Sequence, residues 1–250
     1  MVSLVHGELR KLLGLPTAWI GLILGLLAAP ALVVLNAPAA RQAVADGLTP
    51  DASDIGFQYL GIGMLGAMIL GVVTVSSEYT PTGDDTPGAR QLSATLLAAP
   101  RRARLVIAKG VALSLVTGVQ GAITAVVTLV LTQHVHGSLV PAPELIRVVA
   151  AVLYWVLIGL LAYAITLIAR NGMVTLAVLI VNSAVVSLSY LLTKVTPWAA
   201  YLPDIVGAHM FLRSIDVPVE IGPVTAGVVM TTWVAGLLAV AVVLFRWRDA

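Results

Sequence analysis

The sequence predicts an all-α integral membrane protein with six transmembrane helices. Three observations carry that expectation. Hydrophobic residues make up 59% of the chain and charged residues only 10%. With a mean hydropathy of +1.01, these values exclude an ordinary soluble domain. The apolar residues gather into six runs of about 20 residues or more, each sufficient at 1.5 Å per residue to cross a hydrocarbon core about 30 Å thick. Lys and Arg are divided unevenly between alternate loops, which sets an orientation. The formal net charge of +2 is small, and the sequence pI near 9.1 reflects basic loops rather than a nucleic-acid surface. There is no cysteine, so no disulfide staples the loops and no thiol chemistry is available. The first apolar run is too long for the core of a cleaved signal peptide and lacks a cleavage site.

In chain order, residues 2–15 form an amphipathic segment. Leu4, Val5, Leu9, Leu12 and Leu13 face one way and Glu8, Arg10 and Lys11 another, as in a helix lying in the headgroup plane. Pro16 turns the chain into the first span, 17–35, whose Gly21, Gly25 and Ala29 make a stripe of small residues that lets another helix approach. Residues 36–56 read as a polar loop. The second span, 57–75, repeats the small-residue stripe with Gly63, Ala67 and Gly71. The third span, 105–131, is long, and Lys109 near its start is placed to snorkel to the interface. Ser114, Thr117, Gly121, Thr124 and Thr128 give it a small, weakly polar face, with Gln120 beside it. Spans four, five and six are expected at 145–168, 173–192 and 223–245. Residues 196–214 mix prolines with apolar and aromatic residues, and read as two short helices dipping into the outer interface.

The charge-dense stretch 77–109 divides the second span from the third. Pro81, Gly83, Pro87 and Gly88 break regular structure early in it, and residues 89–99 then read as a short amphipathic helix. Thr86 is a suitable cap and Pro87 a suitable first helical residue. Leu92, Leu96 and Leu97 share one face, and Pro100 ends the helix. Such a helix either lies on lipid or docks a partner protein.

With six spans, Arg10, Lys11, Arg90, Arg101, Arg102, Arg104, Lys109, Arg170, Arg246 and Arg248 share one side, against Arg41, Arg147, Lys194 and Arg213 on the other. The positive-inside rule therefore places both termini and the 77–109 loop in the cytoplasm of a plasma-membrane protein. There is no phosphate-binding Gly-x-x-x-x-Gly-Lys-Ser/Thr loop, so the chain is not expected to hydrolyse ATP. No carboxylate and no histidine falls inside an expected span, which weighs against an ion-coupled carrier and a membrane-embedded hydrolase. His134 and His136 have no carboxylate nearby in sequence and read as a solvated loop; no metal site is expected. Gln120 and Asn182 are the strongest polar side chains in the spans. With Thr117 and Thr124, they either bridge helices or line a path.

The motifs E-L-R-K-L at 8–12, S-E-Y-T at 77–80, T-L-L-A-A-P-R-R-A-R at 95–104, L-P-D at 202–204 and the terminal R-W-R-D-A resemble those of permease subunits of ABC-2 type transporters, especially actinobacterial ones. The resemblance covers nearly the whole chain at the level of architecture. It implies an N-terminal elbow helix at 2–15, a cytoplasmic coupling helix at 89–99, and short outer re-entrant or interfacial helices before span six. It also implies pairing with a second permease copy or paralogue, and a separate ATPase subunit that carries the ATP and magnesium. On that reading the chain exports an amphiphilic or hydrophobic substrate and binds no cofactor itself. Leu92, Leu96 and Leu97 then insert into the ATPase with Arg90, Arg101 and Arg102 at the rim, and Glu78 and Tyr79 anchor the loop. The rival expectations are an ion-coupled secondary carrier and a non-transporting membrane anchor or assembly protein.

Overall fold

A computed structural model of the chain describes residues 1–49, 51–79, 102–185 and 187–247. All of the described residues lie in helices or their connections, with no strand among them. In order, the helices are α1 (Val2–Leu13), α2 (Pro16–Leu35), α3 (Ala37–Ala45), α4 (Phe57–Gly63), α5 (Leu65–Tyr79), α6 (Arg102–His136), α7 (Leu145–Ala169), α8 (Gly172–Ile180), α9 (Leu188–Thr193), α10 (Pro203–Ala208) and α11 (Pro223–Trp247). Among the described residues, five stretches are long and apolar enough to cross a membrane: Pro16–Leu35, Ala52–Ser77, Arg104–Leu139, Leu145–Ala169 and Pro223–Leu244. The second of these joins α4 and α5 through a single turn residue, Met64. The chain is a multi-pass helical membrane protein.

Helix α7 is the centre of the bundle. It packs against α5, α6 and α11, while α2 lies on α5 and α6. Its buried face includes Tyr154, Trp155, Ile158, Leu161, Ala162 and Tyr163. α3, the start of α4, the end of α6, the start of α7 and residues 194–222 gather at one end, called the upper end below. At the lower end, α1 lies against α6, and Leu12, Leu70, Val106, Leu113, Leu167 and Ala241 form a second cluster.

Several expectations need correction. The apolar run at 173–192 is not one continuous helix: α8 ends at Ile180, a π-turn covers Val181–Val185, and α9 starts afresh at Leu188. Its polar side chains supply the reason. Ser187 caps α9 by accepting from the Tyr190 amide at 3.2 Å, and Asn182 turns aside to Asp204. The apolar helix that remains, Gly172–Ser183, rises only about 18 Å. The 36–56 segment is not simply a polar loop: it contains α3 and a 3-10 turn, Ala52–Asp54. The third span does not stop at residue 131 but continues to His136, which is buried rather than solvated. Lys109 does not snorkel. It is buried, and its ammonium donates to the Glu8 carboxylate at 2.8 Å. Glu8 thus faces the bundle beside Lys11 and Leu12, while Arg10 is exposed.

Candidate functional site

The coupling-helix region, including Arg90, Leu92, Leu96, Leu97 and Arg101, lies outside the described residues. Glu78 and Tyr79 close α5 and Arg102 opens α6, so the described helices frame that stretch on both sides. What the structure supplies is the set of polar contacts by which the framing helices are held.

At the lower end, the Glu8–Lys109 pair joins α1 to α6, with both side chains nearly out of solvent. About three turns further into the bundle, Gln120 and Thr124 project from α6 onto α2. The Gln120 amide donates to the Gly21 and Leu22 carbonyls at 3.0 and 3.1 Å, and the Thr124 hydroxyl donates to the Gly25 carbonyl at 3.1 Å. Glycine makes this approach possible, since a β-carbon at Gly25 would lie 2.2 Å from the Gln120 amide nitrogen. Gln120 is thus a bridge between helices; its carbonyl oxygen, like the Thr128 hydroxyl and His136 Nε2, is buried without a partner. Thr117 donates to the Leu113 carbonyl of its own helix at 2.9 Å and lies against Gly159 of α7.

The small residues sit at contacts inside the bundle. A β-carbon at Gly21 would touch the Gly66 carbonyl oxygen at 3.0 Å, one at Gly63 would meet the Trp155 ring at 2.8 Å, and one at Gly71 would lie 2.3 Å from the Gly159 carbonyl oxygen. Gly66, which sequence reasoning passed over, is as tightly enclosed: its β-carbon would meet the Gly21 carbonyl oxygen at 2.4 Å. Its spacing, three residues after Gly63 in the same expected span, was the available signal.

Asn182 belongs to a separate cluster at the broken span. It donates to Asp204 of α10 at 2.9 Å, and its carbonyl accepts from the Ser189 amide at 3.4 Å. The structure therefore brings Gln120, Thr124, Gly21 and Gly25 together but keeps Asn182 apart from them. α10 itself is seated by Gly207, where a β-carbon would fall 2.0 Å from the buried Tyr154 ring.

Among the described residues, the densest polar group lies at the upper end. Arg147, three residues into α7, is buried and pairs with Asp54. Its guanidinium also donates to the Phe211 carbonyl at 2.9 Å and the Ser53 hydroxyl at 2.8 Å, and lies 4.2 Å over the Phe57 ring. The Asp54 carboxylate accepts from the backbone N–H groups of Arg213 and Ser214. Asp54 and Arg147 thereby tie α4, α7 and the segment after α10 into one unit in which both charges are satisfied. Arg213 reaches outward to Glu144 and Asp51. The Asp51 carboxyl is held below its ordinary value chiefly by hydrogen bonding from Ser53, with a smaller contribution from Arg213. Sequence reasoning counted Arg147 among the outer-side charges; its place inside the expected 145–168 span was the sign that it is buried.

Among the described residues, no group of three His, Asp or Glu side chains is placed to hold a metal ion. No family model matches the chain, and no curated protein matches it. Its class is defined by its fold: a multi-pass membrane protein whose long helices are cross-linked by buried polar contacts.

Proposed function

We infer that the chain is the membrane-spanning permease subunit of an ATP-driven exporter, paired with a second permease copy and driven by a separate ATPase that docks on residues 77–109. The observation that carries this reading is the mounting of α6. This helix of 35 residues is about 52 Å long and begins within the charge-dense stretch, at Arg102. Near that start, Glu8–Lys109 fixes it to α1; deeper in, Gln120 and Thr124 fix it to α2. A push on the stretch would be passed to α1, α2 and α6 together, as a motorless permease requires. The termini and the stretch face the cytoplasm of the plasma membrane, and the Asp54–Arg147 unit faces outward. A tagged chain purified in mild detergent is expected to bring down an ATPase with a phosphate-binding loop in near-equal amount. Recovery of the chain without any ATPase would refute the reading.

One observation favours the ion-coupled carrier instead. Asp204 meets Asn182 where the fifth apolar run is broken, and broken helices with a carboxylate are used by carriers to hold ions. In that case uptake or export survives ATP depletion and follows an imposed sodium or proton gradient, and Asp204→Asn abolishes it. In the exporter reading ATP depletion stops transport.

A further inference from the structure

The upper parts of α7 and α11 leave a groove of about 760 Å³ between them, with residues 210–213 lying across its upper end. That volume is within the roughly 300–1,000 Å³ of a small-molecule site. One wall is formed by Ile146, Val149 and Leu153, the other by Val224 and Val228. All five are exposed in the isolated chain, Val224 at 82% and Val228 at 62%. They lie on helices long and apolar enough to cross a membrane, so hydrocarbon is the medium that surrounds those helices. The lining runs over residues 144–153 of one helix and 223–232 of the other, a depth of about 15 Å at 1.5 Å per residue and about half of a 30 Å hydrocarbon core. The groove therefore has the depth of a single leaflet.

The charges at its upper rim choose the headgroup. Asp54 and Arg147 are buried and close each other off, which leaves Glu144 and Asp51 sharing Arg213. Arg213 and Glu144 have side chains about half exposed, at 48% and 51%. Two carboxylates against one guanidinium repel an anionic headgroup and attract a cation, while the guanidinium remains a hydrogen-bond donor for a phosphate. We propose that this groove binds one zwitterionic phospholipid with a primary ammonium. An acyl chain lies between α7 and α11, the phosphate sits against Arg213 and the ammonium against Glu144. This rests on the membrane-spanning character of the chain alone and is independent of the exporter reading.

The test is native mass spectrometry of the purified chain in mild detergent, titrated with phosphatidylethanolamine, phosphatidylcholine and phosphatidylglycerol of identical acyl chains. The wild-type chain retains one phosphatidylethanolamine, bound about tenfold more tightly than phosphatidylglycerol, a difference of about 1.4 kcal/mol. Val228→Trp, a substitution at an exposed position that fills the groove, removes this lipid. Val240→Trp, exposed on the same helix but outside the groove, keeps it. Glu144→Gln brings phosphatidylethanolamine down to the level of phosphatidylcholine. Equal binding of phosphatidylglycerol, or equal lipid retention by the two tryptophan variants, overturns the proposal. So does a dimer that Val228→Trp splits without changing the bound lipid, because the groove would then hold a second copy of the chain.

Discussion

Removing the Asp54 carboxylate tests how the upper end is held. Asp54 accepts from Arg147 and from the amides of Arg213 and Ser214, and both charged side chains are about nine-tenths buried. Asp54→Ala strands the Arg147 cation and two backbone donors. Breaking a buried pair from one side costs about 3–5 kcal/mol. At roughly 2–4 °C per kcal/mol for a chain of this size, the expected loss in Tm is about 6–20 °C. Arg147→Leu is milder, about 2–3 kcal/mol, because Asp54 keeps its backbone partners and hydrogen bonds to a charged group are worth roughly 1.5–3 kcal/mol. The double variant should cost clearly less than the two singles together, since it leaves no buried charge alone. The assay is thermal unfolding in detergent followed by size-exclusion chromatography, with exposed Glu220→Ala as control. An Asp54→Ala loss no larger than that control, or additive single effects, would refute the reasoning.

The other predictions concern helix contacts and topology. Gly66→Ala places a β-carbon 2.4 Å from the Gly21 carbonyl oxygen, whereas Gly61→Ala meets nothing within 4 Å. The first should cost about 1–3 kcal/mol as overpacking and the second nearly nothing by the same thermal assay; equal losses would show that α2 and α5 are not in close contact there. Gln120→Leu removes two bonds to α2 but also an unpaired carbonyl, so its cost should stay within the roughly 0.6–1.7 kcal/mol of an interhelical hydrogen bond, and a larger loss of Tm would mean that Gln120 does more than bridge. In intact cells, a cysteine at the exposed Ser138 should react with an impermeant label, while cysteines at exposed Ser3 and at Ser93 should not. Labelling at Ser3 would invert the proposed orientation.

The span that hydropathy placed best is the one with the largest apolar core face. Residues 145–168 became α7 almost to the residue, because Tyr154, Trp155 and Tyr163 supply a core face that period and composition both reveal. The break that begins at Val181 was not legible from hydropathy, since Val181, Ala184 and Val185 score as a span. The break depends on Asn182 finding Asp204, a partner 22 residues away. Lys109 and Arg147 were read as interfacial charges, not as buried pairs, for a related reason. Hydropathy treats a cation as a boundary marker, whereas here each has a carboxylate, Glu8 or Asp54, brought from about 100 residues away in sequence. The stripes at Gly21, Gly25, Gly63 and Gly71 were legible as close contacts, but which helix each one meets follows from tertiary packing alone.

The account stands most directly on the docking of a separate ATPase, and one measurement reaches it: co-purification of that ATPase with the variant Leu92→Asp, Leu96→Asp. Each leucine contributes at most about 1.5–3 kcal/mol to such an interface, before the costs of association are subtracted. A loss of even about 3 kcal/mol is more than a hundredfold in affinity. The account predicts that the double variant reaches the membrane at the wild-type level and brings down almost no ATPase. Recovery of the ATPase at the wild-type level would contradict it and assign residues 89–99 to the lipid surface, where neutralising Arg101, Arg102 and Arg104 would be the more damaging change, at about 1 kcal/mol for each basic residue.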